Sequence, residues 1–270
     1  MLKTRIITGC ILAALLLLGL FLLPPFWAVL AFGAVFTIGA WEWAGFGALR
    51  AASARATYAL SVAFIYLLSW QWSKDPAHLI VLLTVACAWW LVAFSWLILA
   101  PTRQRPVLVL LCGLPVLVPA FLALARMQIS DQANQSGPLI VLWLVLMVCA
   151  ADIGAYFAGR SFGRRKLAPR VSPGKTWEGA LGGLLAAALV ALSGAEFFGL
   201  PPLGAIAFGC AVGIFSIIGD LTESMFKRAA ALKDSGALLP GHGGLLDRID
   251  SVTAAAPLYA LGLFSSGVIR

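Results

Sequence analysis

Apolar residues in this chain come in runs of about 20, the length a helix needs to cross a hydrocarbon layer of roughly 30 Å, without the alternation that a membrane barrel requires. Nine such runs are present: Ile6–Leu23, Phe26–Leu49, Ala56–Trp72, Ala77–Ala100, Pro106–Ala125, Pro138–Ala158, Gly179–Phe198, Pro201–Gly219 and Ile249–Val268. Backbone groups in lipid must find partners within their own segment, so each run reads as a helix. The pattern predicts an all-α, polytopic membrane protein with nine transmembrane helices. Five spans fall in residues 1–135, and four spans with two long polar loops fall in residues 136–270.

Composition agrees with that pattern and excludes a water-soluble globule: 61% of residues are hydrophobic and 11% charged, and the mean hydropathy is +0.97. Charge placement sets the expected sidedness. With the N-terminus in the cytosol, the inner segments hold Lys3, Arg5, Arg50, Arg55, Arg103, Arg105, Arg160, Arg164, Arg165, Lys166, Arg170, Lys175, Lys227, Arg228, Lys233 and Arg248. Of the 19 Lys and Arg, only Lys74, Arg126 and Arg270 are left for the outer side, as the positive-inside rule requires. The C-terminus is then outside. The net charge of +8 is spread over short loops without a helical stripe or interleaved aromatics, which argues for anionic headgroups and against nucleic acid. Lys3 and Arg5 ahead of the first run resemble a signal peptide, but that run ends at Pro24-Pro25 without an Ala-x-Ala site and reads as a retained helix.

Several residues carry no chemistry on this reading. Cys10, Cys87, Cys112, Cys149 and Cys210 fall inside spans, at no metal-ligand spacing, as small core residues. His78 begins a helix on the outer side and needs no function. Glu42, between Trp41 and Trp43, is expected to pair with a nearby arginine such as Arg50.

From Asp152 onward the chain differs in kind. Both long loops, 159–178 and 220–248, lie on the predicted cytosolic side, and Asp152, Glu178, Asp220, Glu223, Asp234, Asp247 and Asp250 sit in or beside them. Asp220, Glu223, Ser224 and Lys227 share one helical face if the helix from Pro201 continues into the cytosol. Asp247 and Asp250 stand one turn apart at the next helix start, with Arg248 between them. Such oxygen-rich helix ends suit Mg²⁺, which takes one or two carboxylates and completes its shell with water and substrate phosphate. The alternative is that the acids merely neutralise Arg228, Lys233 and Arg248 at the membrane surface.

Between the two acidic helix ends, Gly236, Gly241, Gly243 and Gly244 let the backbone take positive φ and approach a ligand closely, so that successive N–H groups can form an anion nest. His242, among glycines, is expected to be accessible. In Ser172-Pro173-Gly174-Lys175-Thr176-Trp177-Glu178-Gly179 the Gly-Lys-Thr invites a P-loop reading. Pro169 stands where that motif needs glycine, and the motif also needs a preceding β-strand. What survives is phosphate binding by Lys175, Thr176 and nearby backbone donors at a helix start. Asp152, Tyr156 and Gly159 share a face upstream, where Asp152 could serve as metal ligand, lysine partner or proton relay.

The stretch from Ser224 to Asp250 reads Ser-Met-Phe-Lys-Arg, four residues, Lys-Asp-Ser-Gly, three residues, Pro-Gly-His-Gly-Gly-Leu-Leu-Asp-Arg-Ile-Asp. It resembles the signature of the phosphatidate cytidylyltransferases, or CDP-diglyceride synthetases. The resemblance implies a Mg²⁺-dependent reaction of CTP with phosphatidate in the inner membrane, with the site facing the cytosol, a homodimer, and room for a second cation. Asp220 and Asp247 are the first metal candidates, followed by Asp250 and Glu223, then Asp152. Lys227, Arg228, Lys233, Asp234, His242 and Arg248 are the catalytic candidates. Ser172, Gly174, Lys175, Thr176, Ser224, Gly243 and Gly244 are the substrate-binding ones. Rival readings are an ion-coupled transporter relaying protons through Asp152, Asp220 and Glu42, a CTP-dependent lipid kinase, and a non-catalytic assembly factor.

Overall fold

The computed structural model describes residues 2–101, 104–132 and 135–267; Arg103 and Arg270 of the charge pattern lie outside the described residues, as do the side chains of Lys3 and Arg5. The helices are α1 (Leu2–Phe21), α2 (Pro25–Phe46), α3 (Ala52–Trp72), α4 (Pro76–Leu99), α5 (Pro106–Gln128), α6 (Gly137–Phe162), α7 (Trp177–Ser193), α8 (Pro202–Ala229) and α9 (Leu246–Ser265). Proline opens α2, α4, α5 and α8, where its missing N–H costs nothing and its fixed φ already suits a helix.

Among the described residues the protein is all-α apart from two short hairpins. One pairs β1 (Asp131–Gln132) with β2 (Gln135–Ser136), and the other pairs β3 (Lys166–Ala168) with β4 (Ser172–Thr176).

Among the described residues six helices, α2 to α6 and α8, are long and apolar enough to span a membrane. Of the nine runs expected to span, α7 has only 17 residues, the Ile6–Phe21 part of α1 is shorter still, and α9 opens on a charged turn containing Asp247, Arg248 and Asp250. The chain is a polytopic membrane protein. Leu181, Leu185 and Leu189 on one stripe of α7 stay exposed, as lipid-facing residues should.

Two packing modes hold the bundle. The first five helices interlock through large side chains and buried polar ties: Trp43 Nε1 donates to the Val109 carbonyl at 2.8 Å, and Gln128 Nε2 to that of Leu20 at 2.9 Å. Trp43 also packs edge-on against Phe226 of α8, ring centroids 5.1 Å apart. By contrast α6, α7 and α8 meet through small residues, the usual device where lipid supplies no hydrophobic drive. A Cβ on Gly183 would lie 2.7 Å from the Ala151 carbonyl oxygen, and one on Gly209 2.8 Å from that of Ala187. α9 packs on α8 and also on α2, α4 and α5, so both halves of the chain hold it.

Candidate functional site

The polar stretch between α6 and α7 folds back on itself as the β3–β4 hairpin. Its closing residues explain why: the Trp177 N–H donates to the Arg165 carbonyl at 2.9 Å, and the Glu178 carboxylate accepts from the N–H groups of Arg164 at 3.0 Å and Arg165 at 3.2 Å. Its own backbone N–H, then those of Arg164 and Arg165, hold the Glu178 carboxyl below the usual carboxylate range. Thr176 is the N-cap of α7, its hydroxyl accepting from the Gly179 N–H at 3.1 Å. A strand does precede Gly-Lys-Thr's helix, but Pro-Gly-Lys lies within it, so no P-loop is formed.

The hairpin brings Lys175 onto Asp220 of α8 as an ion pair. The pair lies at a cavity of about 550 Å³ between α6, α7, α8 and β4, lined also by Asp152, Tyr156, Arg160, Gly174 and Thr176, with an apolar wall that includes Ala151, Leu167 and Ile217. Asp152, Tyr156 and Gly159 do share a face, and that face lines the cavity. Ser172, at the far end of β4 opposite Ala168, is not among the lining residues.

α8 runs on to Ala229, and the residues expected on one face separate into two sets. Asp220 faces the cavity, with Ser224 Oγ donating to its Oδ1 at 3.3 Å. Glu223 and Lys227 turn toward α9: Lys227 Nζ lies 3.1 Å from Glu223 Oε1 and 2.6 Å from Asp247 Oδ1. Arg228, exposed at its head, ties the hairpin to the end of α8, with Nε donating to the Val171 carbonyl at 3.3 Å and Nη1 to that of Leu232 at 3.0 Å.

The glycine loop departs from expectation in three ways. Only Gly241 and Gly243 take positive φ, +76° and +82°. Gly236 and Gly244 serve close approach instead: a Cβ on either would collide with the Glu42 carboxylate. The nest is also occupied by the protein's own acids, since the N–H groups of Ser235 and Gly244 both donate to Asp247 Oδ2 at 2.9 Å. His242 is half-buried rather than open, and its Nδ1 is enclosed with no hydrogen-bond partner among the described residues. Lys233, Asp234 and Arg248 are exposed around this loop, and Asp250 Oδ1 accepts from the Ser251 N–H at 2.7 Å.

Glu42 is the residue that the sequence reading misplaced. It does not pair with Arg50; it is buried, and it accepts from Ser235 Oγ at 2.9 Å, Leu245 N at 3.1 Å and Leu246 N at 2.7 Å. The available signal was a helix beginning at Leu245-Leu246 without a capping side chain, and an acid between two tryptophans without a donor.

Among the described residues no three His, Cys, Asp or Glu converge as a ready metal cluster. The donors nevertheless fit a hard divalent cation that relies on substrate and water for most of its shell. Asp152 and Asp220 line one cavity with oxygen ligands. Asp247 spends three of its roughly four acceptor positions on Lys227 and two N–H groups, leaving one on Oδ1.

The chain matches the Cytidylyltransferase family over residues 3–265. It is 38% identical over 286 residues to the phosphatidate cytidylyltransferase of Haemophilus influenzae, covering 98% of this chain and 99% of that protein. It is 42% identical over 277 residues to that of Pseudomonas aeruginosa, covering 99% and 98%. Over 129 residues it is 50% identical to that of Brucella suis, covering 45% of each chain. With such matches running almost end to end, this chain belongs to the phosphatidate cytidylyltransferase family.

Proposed function

We propose that this protein transfers the cytidylyl group of CTP to phosphatidate, forming CDP-diacylglycerol and pyrophosphate, at the cavity between α6, α7 and α8. The observation that carries the assignment to this cavity is its construction: a lysine–carboxylate pair and a second carboxylate stand against an apolar wall of membrane helices. A phosphorylated headgroup on acyl chains needs that combination.

A phosphate oxygen of phosphatidate attacks the α-phosphorus of CTP. The bond from that phosphorus to the bridging oxygen breaks in line, and the electron pair leaves with pyrophosphate. The nucleophile is already an anion, so the protein needs neither a covalent intermediate nor a strong base; its work is positioning and charge neutralisation. Lys175 exchanges Asp220 for a phosphate oxygen, supported by Gly174 and Thr176 of the hairpin. Arg228, Lys233 and Arg248 face the triphosphate from the exposed rim, and Lys227 holds the acidic helix ends together. Ser224, Asp234, His242, Gly243 and Gly244 shape the nucleotide side.

Asp220 and Asp247 would hold Mg²⁺, with Asp250 and Glu223 next and Asp152 across the cavity, and a second cation is accommodated by the same acids. When bound, the ion supplies charge neutralisation on the triphosphate and the departing pyrophosphate.

The charge pattern supports nine spans with the N-terminus in the cytosol, an inner-membrane location and a cytosol-facing site. The 1–135 helices serve as scaffold to the 136–270 catalytic region, and a homodimer is the assembly we favour.

The test is purified protein in phosphatidate micelles with Mg²⁺ and CTP labelled at either the α- or the γ-phosphate. α-Label entering the lipid, and stopping with EDTA, is the expected result. γ-Label entering the lipid instead would make the protein a CTP-dependent kinase.

A further inference from the structure

The first N–H groups of a helix have no acceptor within it. In α9 the N-cap is Leu245, which has no side chain able to fill that role. The acceptors come from elsewhere. Glu42 Oε1 takes the Leu245 N–H, Glu42 Oε2 takes the Leu246 N–H and the Ser235 hydroxyl, and Ser235 Oγ in turn accepts the Asp247 N–H at 3.3 Å. A carboxylate about 200 residues away in sequence thus caps the helix, and its charge suits the positive end of the helix dipole. Glu42 is 4% exposed. Its helix is fixed at the next residue, where Trp43 is hydrogen-bonded to α5 and packed edge-on against Phe226 of α8.

We infer that Glu42 is a positioning residue for the reaction: it clamps the 233–246 loop and the first turn of α9, and so sets the direction in which Asp247 presents its carboxylate. The inference rests on the proposal that this loop and Asp247 belong to the cytidylyltransferase site. The coupling runs through contacts. Ser235 and Gly244, which hold Asp247 Oδ2, are the residues pressed against Glu42, and any Cβ at Gly244 would meet Glu42 Oε2 at 2.6 Å. The N-terminal helices therefore contribute to catalytic geometry through one side chain, beyond supporting the bundle.

Glu42→Gln separates this role from packing, because the amide keeps the volume and turns one acceptor into a donor facing a backbone N–H. The readouts are amide exchange at Leu245 and Leu246, resolved by fragmentation of the labelled full-length protein in detergent, and the Mg²⁺ concentration for half-maximal transfer. We expect exchange at both amides to quicken about tenfold or more, and half-saturating Mg²⁺ to rise by about 10- to 100-fold. Ser235→Ala, which keeps both Glu42–amide bonds, should quicken exchange at Asp247 and move the Mg²⁺ response less. It carries the test if Glu42→Gln fails to fold.

Unchanged exchange at Leu245 and Leu246 would overturn the clamp. Faster exchange with an unchanged Mg²⁺ response would leave a cap and overturn its positioning role. Wild-type protein that labels no lipid would overturn the functional reading and the positioning role with it, while the exchange data would still decide the cap.

Discussion

Lys175 meets Asp220 at the wall of an open cavity, with 28% and 27% of the two side chains exposed. Lys227 meets Asp247 and Glu223 where the ammonium is 9% exposed and the carboxylates 6% and 4%. The chemistry is the same and the consequences are opposite. At the cavity either ion can trade its partner for a phosphate oxygen or a cation at small cost, because water and substrate stand ready to replace it. In the buried set the ammonium holds two acids that form no other ion pair among the described residues, and removing it strands charge in a poorly solvated place. One pair is therefore suited to exchanging partners with substrate, and the other to fixing α8 and α9 while leaving Asp247 one acceptor position for the proposed cation.

The sharpest way to break this contrast is Lys227→Ala, which should destabilise the protein by about 3–5 kcal/mol. Thermal or denaturant unfolding in detergent measures that, and a variant as stable as wild type would remove the distinction. Lys175→Ala should leave unfolding within about 0.5 kcal/mol and instead weaken phosphate handling. Loss of one charge-assisted hydrogen bond, about 1.5–3 kcal/mol, corresponds to roughly a 10- to 100-fold fall in kcat/KM. Steady-state transfer assays read it. Thr176→Val tests the junction between the two, since the hydroxyl caps α7 beside the cavity; about 1 kcal/mol of stability should be lost. Transfer should fall as well, because Thr176 lines the cavity and supports the phosphate at Lys175; lost stability with transfer unchanged would leave Thr176 only its capping role.

The helices were legible because a membrane span is written locally: an apolar run, a proline at its start and charge at its ends suffice, and each predicted run found a helix whose start lies within a few residues, although α8 runs on from Gly219 to Ala229. Span count was less legible, because α7 is short and α9 spends its first turn on charged residues, Asp247, Arg248 and Asp250. The β3–β4 hairpin was invisible in Ser172-Pro173-Gly174-Lys175-Thr176, whose composition reads as a turn. Its pairing is imposed by Arg165, Trp177 and Glu178 rather than by strand propensity.

The acidic helix ends were legible as a group, but the division of one helical face between Asp220 and the Glu223–Lys227 pair depends on what packs beside each. Glu42 was the least accessible to sequence reasoning. Its partners lie far along the chain, and only the fold brings the uncapped start of α9 to a buried acid in search of donors.

Asp220 is where the open pair, the cavity and the proposed cation meet. Transfer of α-label from CTP into phosphatidate by wild type and by Asp220→Asn, at equal amounts of folded protein, is therefore the most direct test. The account predicts EDTA-sensitive label in lipid for the wild type, a rate lower by at least about 100-fold for the variant, and an unfolding midpoint that barely moves. An Asp220→Asn protein that labels lipid at the wild-type rate would contradict the assignment of the reaction to this cavity.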